Sequence, residues 1–238
     1  MRYIDISKYQ PSVDYEKLKN EVDGVIIRAV STNKNGIYID PLFEKHYHGC
    51  IAAGIPVGVY FYSYATTKQR VDSELNLVFN AIKGKTISLP VIIDIEDNSQ
   101  KSIGKQALTD IVIHALERIE NSGYYAMYYS YKNFYDKYLD KERLKKYDFW
   151  LAWYTSVYPY GYKFGMWQYT SSGKVAGINA NVDISNVYKD YRSIIKNAGL
   201  NNLSKAPQQD SNADIIKTFS TKLDEIEKII DELREMML

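Results

Sequence analysis

Four acidic side chains in this 238-residue sequence stand at positions where carboxylates are costly. The run LPVIIDIED (residues 89–97) is almost continuously apolar until Asp94, Glu96 and Asp97 close it. Its length and β-branched residues predict a strand buried on both faces. Side chains alternate along a strand, so Asp94 and Glu96 project from one face and Val91, Ile93 and Ile95 from the other. Ionised carboxylates beside such a run need a compensating reason. Asp5 closes the first short strand (RYIDIS), and Asp183 closes the last one (ANVDIS). Taken singly, these two are ordinary turn or capping acids. With Asp94 and Glu96 they form a set suited to carboxylate chemistry. Glycoside hydrolysis needs one carboxyl that stays protonated and another that stays ionised. Crowding four acids together raises at least one pKa by like-charge repulsion.

Such a set needs elements that converge. Short apolar runs at 2–6, 24–30, 56–64, 89–95 and 124–130 predict strands. Helical spacing separates them at 13–21, 40–53, 67–82, 103–121 and 133–146. Three further β runs, 149–154, 165–169 and 181–184, follow with little helix between them. Strand–helix alternation predicts a mainly parallel sheet with helices outside. Eight strands at this length predict a closed α/β barrel, whose sites gather at the C-terminal ends of its strands. Closure sets the first and last strands side by side, which brings all four acids to one mouth.

Composition narrows the chemistry. The 30 basic and 29 acidic residues give a net charge of +1, with no basic run to suggest a nucleic-acid partner. The single cysteine, Cys50, excludes an intrachain disulfide and a multi-cysteine zinc site. His46 and His48 diverge on the helix predicted at 40–53, so no metal or other cofactor is expected. No apolar stretch reaches membrane-spanning length, so no membrane insertion is expected. The N-terminus MRYIDISKYQ carries no signal segment. This predicts synthesis in a cytoplasm, with any action outside that cell coming after release. Tyrosine is abundant, with 23 residues against 7 Phe and 3 Trp. Its flat face and hydroxyl suit sugar stacking as well as ordinary half-buried packing.

In order and spacing, six segments resemble the family 25 glycoside hydrolases, the lysozymes of phage endolysins and bacterial autolysins. They are DISKYQ (5–10), GVIIRAV (24–30), YIDPLFEKHYHGCIAAGIPVGVYFY (38–62), LPVIIDIED (89–97), DFWLAWY (148–154) and MWQYTSSGKVAGINANVDIS (166–185). The register holds over residues 1–192. The resemblance implies a TIM-like (β/α)5(β)3 barrel, in agreement with the strand count. It also implies cleavage of the β-1,4 bond between N-acetylmuramic acid and N-acetylglucosamine in peptidoglycan. Glu96 would be the general acid and Asp94 the second catalytic carboxylate, with Asp5 and Asp183 tuning the pair. Tyr62, Tyr129, Trp150, Tyr154 and Gln168 would contact the sugars. Phe61 departs from the family, many members of which carry His there, and is expected to alter substrate preference rather than abolish activity. Family knowledge favours net retention of configuration, and we expect the substrate's own acetamido group to attack the anomeric carbon. A strand rise of roughly 3.3 Å per residue sets the Cβ atoms of Asp94 and Glu96 about 6.5–7 Å apart, a spacing that does not choose between routes.

The pattern changes near residue 196. Residues 1–195 read as the barrel, 196–212 as a polar linker, and 213–238 as an amphipathic helix. Ile216, Phe219, Leu223, Ile226, Ile230, Leu233 and Met237 follow 3-4 spacing, the a/d seam of a coiled coil. Ile215, Ile229 and Met236 widen that face. Two arrangements would bury it: folding back onto the barrel, or self-association into a homo-oligomer of more than two chains. Two other functions fit the same motifs, a carbohydrate-binding barrel without turnover and a chitinase-type glycosidase.

Overall fold

Hydrogen bonding between the first strand and its two neighbours closes the barrel. The structure, a computed structural model, describes residues 1–33, 35–204 and 212–236. The strands are β1 (Arg2–Ile6), β2 (Gly24–Asn33), β3 (Gly36–Ile39), β4 (Val57–Tyr62), β5 (Val91–Asp94), β6 (Ala126–Tyr131), β7 (Asp148–Ala152), β8 (Met166–Val175) and β9 (Ile178–Val187). The order around the sheet is β1-β9-β8-β7-β6-β5-β4-β2, and a β1–β2 pairing closes it. Eight strands therefore form the barrel, and β3 pairs antiparallel with the extended end of β2. The helices are α1 (Tyr15–Leu18), α2 (Phe43–Ala52), α3 (Lys68–Ile82), α4 (Lys105–Asn121), α5 (Lys132–Tyr138), α6 (Lys141–Leu144), α7 (Tyr191–Ala198) and α8 (Asn212–Met236).

The chain divides into two units, 1–204 and 205–238. In the first, strand alternation sorts side chains into two cores. Val91, Ile93 and Ile95 join Val57, Val59 and Phe61 in the outer core beneath the helices. Tyr3, Ile26, Ile92, Met127, Trp150 and Met166 fill the barrel interior. Asp94 shares the inward parity of Ile92, as the sequence predicts.

Several expectations are revised. The helix expected at 13–21 is a single turn, Tyr15–Leu18, capped by the Asp14 side chain, and Val13 instead bridges to Ile178. The helix expected at 133–146 is two short helices, because Asp140 caps the second one, α6. The linker does not begin at 196. Tyr191 and Ile195 of α7 pack into the inner core. Asn201, 1% exposed, donates through Nδ2 to the carbonyls of Ile87 and Leu89 and accepts from the Tyr125 amide. The last strand is also longer than 181–184 and runs antiparallel to β1. Asp183 thus sits within β9 and reaches the mouth because its strand runs the opposite way.

Candidate active site

Strand register assembles the site. Tyr62 is paired with Asp94, Asp94 with Tyr129, and Tyr129 with Trp150, giving one row across β4, β5, β6 and β7. Across the barrel, Asp5 is paired with Asp183 and Gln168 with Ser185. All nine residues proposed from the sequence line one cavity of about 210 Å³. A second cavity of about 340 Å³ meets it at Glu96, Tyr129 and Tyr154 and continues past Tyr131, Lys132, Asn133 and Trp153. Glu96 therefore stands at the junction of two compartments.

The aromatic and amide residues divide by accessibility. Tyr154 is 56% exposed, whereas Trp150 is 2% and Gln168 is 3% exposed. Trp150 donates through Nε1 to Ser185 Oγ at 3.0 Å. Gln168 donates through Nε2 to Asp5 Oδ2 at 2.8 Å, and its Oε1 accepts from Tyr129 and Tyr154, each at 3.0 Å. Trp150 and Gln168 thus form a floor whose polar atoms already have protein partners. Tyr62 and Tyr154 keep surface free for a ligand.

Burial dominates the electrostatics. Asp94 is held well above the ordinary carboxylate range by burial, then by Glu96 and Asp5, with Arg28 opposing. Its Oδ1 is buried with no hydrogen-bond partner among the described residues. Burial and the charge of Asp183 also raise Asp5, and burial raises Asp183 as well. Glu96 is raised to about 7 by burial, Asp183 and Asp97. A carboxyl near 7 exchanges protons readily at neutral pH.

The backbone around Glu96 is pinned on both sides. The Ser63 amide donates to the Asp94 carbonyl, and the Ile95 amide to the Tyr129 carbonyl, each at 3.0 Å. Ser130 Oγ donates to the Ile95 carbonyl. Beyond Glu96, Asp97 and Gln100 form a capping box. Gln100, 1% exposed, also donates through Nε2 to the carbonyls of Ser63 and Ala65. The D-x-x-Q spacing of that box is a readable helix-start signal.

Arg28 was not singled out from the sequence, although an arginine inside the apolar run GVIIRAV is as anomalous as the acids. It is 7% exposed and lines the acidic cavity. Its Nε donates to Asp40 Oδ2 at 2.8 Å. Nη2 lies 2.7 Å from the same oxygen but makes no aligned hydrogen bond. Tyr60, Tyr9, Ser7 and Gln10 complete the wall. His46 accounts for the shape of the segment 7–10. A carbonyl only accepts, so Nε2 donates to the Ser7 carbonyl at 3.0 Å and Nδ1 accepts from the Tyr15 hydroxyl. His48 faces solvent beside Glu44.

Residues 4–178 match the model of the glycosyl hydrolases family 25. The chain belongs to this family. An autolytic lysozyme of Clostridium acetobutylicum is 29% identical over 185 residues, covering 77% of this chain and 55% of that protein. The modular autolysin LytC of Streptococcus pneumoniae, solved with a synthetic peptidoglycan ligand, is 28% identical with a TM-score of 0.67, covering 77% of this chain and 46% of that one. The catalytic domain of endolysin ply40, from bacteriophage P40 of Listeria monocytogenes, is 25% identical with a TM-score of 0.68, covering 82% of this chain and 96% of that one. The chain thus spans about half the length of the first curated relative. Within the family 25 pattern, Phe61 lies fully buried in the outer core. It does not reach the cavity, so the expectation that it alters substrate preference has no structural basis.

Proposed function

We propose that this family 25 glycosyl hydrolase is a muramidase that cleaves the β-1,4 bond between N-acetylmuramic acid and N-acetylglucosamine in peptidoglycan, in the manner of a phage endolysin acting on the wall after release. The observation that carries the reading is the position of Glu96, held near 7 where the two cavities meet. Glu96 donates its proton to the glycosidic oxygen as the C1–O bond breaks, and the leaving sugar departs with a free hydroxyl. The acetamido oxygen of the retained sugar bonds to C1 from the opposite face. Asp94 lines the cavity beside Glu96 and is the carboxyl placed to accept from the acetamido N–H, which orients that attack. Glu96 then takes a proton from water as water opens the intermediate, giving net retention. Asp183 keeps the Glu96 carboxyl protonated, and the proton on Asp5 limits the charge of the pair.

The test is loss of turbidity in purified Gram-positive walls, with reducing-end analysis of the products. Wild type is expected to clear the walls and leave N-acetylmuramic acid at the new reducing ends. Glu96→Gln is expected to lose roughly 10²–10⁴-fold in rate. Binding without clearing across a panel of wall types would favour a non-catalytic carbohydrate-binding barrel. Activity on chitin alone would favour a chitinase-type enzyme.

Self-association through α8 is part of the same proposal. Phe219, Leu223, Ile226, Ile229 and Ile230 are all exposed on this helix, between 42% and 69%. Leu223 at an a position with Ile226 at the next d position favours more than two strands. In a parallel bundle, Lys222 at g faces Glu227 at e of the neighbouring helix, a matched charge pair. Several catalytic units on one bundle would gain avidity for a polymeric wall. Light scattering of the full chain should give a mass above a dimer, and Ile226→Lys should return it to a monomer. Among the described residues no helix is long and apolar enough to cross a membrane.

A further inference from the structure

The two cavities that meet at Glu96 differ in charge. The smaller holds Asp5, Asp94 and Asp183. Positive charge develops on the sugar that keeps the anomeric carbon, so that sugar belongs beside these acids. The larger cavity therefore receives the leaving-group side of the chain. Among the described residues its wall carries one cation, Lys132, beside Trp153 and Tyr131.

Lys132 is held in place. Its Nζ lies 5.0 Å from the centroid of the Trp153 ring and 5.6 Å from that of Tyr162. It donates to Asp136 Oδ2 at 2.9 Å. Asp136 does not neutralise it alone, because Lys141 pairs with the same carboxylate and the Tyr162 hydroxyl donates to it as well. Two ammonium groups on one carboxylate leave one positive charge in excess. Lys132 is not among the groups that set the proton affinity of Glu96, which answers to burial, Asp183 and Asp97. A neutral amino-sugar chain would make no use of this cation, whereas a chain bearing carboxylates would.

We propose that Lys132 is a specificity-determining residue of the leaving-group compartment, and that it pairs with a carboxylate carried by the muramic acid units on that side of the cut. This rests on the muramidase reading. The carboxylate has two sources, the acidic stem peptide or the lactyl group left when the peptide is removed. The aromatic seat fixes the ammonium in advance, which lowers the entropic cost of pairing.

The experiment compares wild type, Lys132→Met and Lys132→Arg as full chains on intact peptidoglycan and on amidase-stripped glycan strands. Methionine keeps an apolar stem over Trp153 and removes the charge, and melting temperatures confirm folding. Lys132→Met is expected to raise KM about two- to five-fold at low ionic strength. The loss should fall in KM rather than kcat, shrink with added salt and leave the pH profile in place, and Lys132→Arg should restore most of it. A loss confined to intact peptidoglycan assigns the stem peptide, a loss confined to stripped strands assigns the lactyl carboxylate, and a loss on both means that Lys132 pairs with whichever carboxylate the strand carries. Unchanged KM and salt dependence for folded Lys132→Met on both substrates would overturn the proposal while leaving the muramidase reading intact. If wild type turns over neither substrate, the same three proteins are compared by equilibrium binding of a soluble muropeptide. Equal affinity, or no binding by any of them, overturns the proposal there.

Discussion

Asp5 and Asp183 face each other directly across β1 and β9, and burial together with the Asp183 charge holds Asp5 well above the ordinary carboxylate range. Like charges directly opposite on neighbouring strands destabilise a sheet, and a proton kept on Asp5 is the arrangement that tolerates the pairing. Asp183 is also the largest charge acting on Glu96.

Asp183→Asn should therefore shift the rate profile of the enzyme. An acid catalyst works while protonated, so activity should fall as pH rises through about 7, the value held by Glu96. Removing the charge at 183 lowers the Glu96 pKa and moves that falling limb to lower pH. Asparagine keeps nearly the same shape, so the barrel should stay folded and gain roughly 0.5–1 kcal/mol at neutral pH. A pH–rate series beside denaturant midpoints checks both. A limb that stays in place would detach Asp183 from the tuning of Glu96.

Asp94→Asn should trade activity for stability. Burial, Glu96 and Asp5 make Asp94 hold its proton to higher pH in the folded state than in the unfolded chain. The folded state then binds more protons above the ordinary carboxylate range, so its stability falls as pH rises from there towards the folded value. Asparagine removes the titration at nearly constant shape. The variant should melt higher than wild type at pH 7, by about 1–3 kcal/mol in stability, with the gain fading towards pH 4. Wall-clearing activity should fall by roughly 10²-fold or more.

Gln168→Leu should harm both site and scaffold. It strips Asp5 of its amide donor and leaves the buried Tyr129 hydroxyl without an acceptor. Loss of a buried partner costs about 1–3 kcal/mol, visible as a lower denaturant midpoint. Without the amide donor, Asp5 should titrate still higher, and Gln168→Glu should not repair this because it adds a further acid.

Asp40→Ala should be the costliest of these substitutions. It leaves Arg28, whose side chain is 9% exposed, as an unpaired charge beside the acidic cavity. It also removes the acceptor for the Lys8 and Leu42 amides. A loss of about 3–5 kcal/mol is expected, measured by chemical denaturation.

Local pattern carried much of this molecule. Alternation along residues 89–97 is enough to put Asp94 and Glu96 on one face and Val91, Ile93 and Ile95 on the other, because the strand period is fixed by the backbone. The regular spacing of apolar runs is enough to predict eight strands and hence a closed barrel. What crosses the barrel was decided only in three dimensions. The reversed direction of β9, and with it the Asp5–Asp183 pairing, depends on hydrogen bonds between residues nearly 180 positions apart, which no local signal encodes. The split between Trp150 and Gln168 as floor and Tyr154 as open surface depends on which neighbours cover each ring. The place of Arg28 follows from its distant partner Asp40, and the return of Asn201 under the barrel follows from carbonyls at Ile87 and Leu89. Residue types could announce that buried charge and polar groups need partners, but only tertiary packing chose the partners.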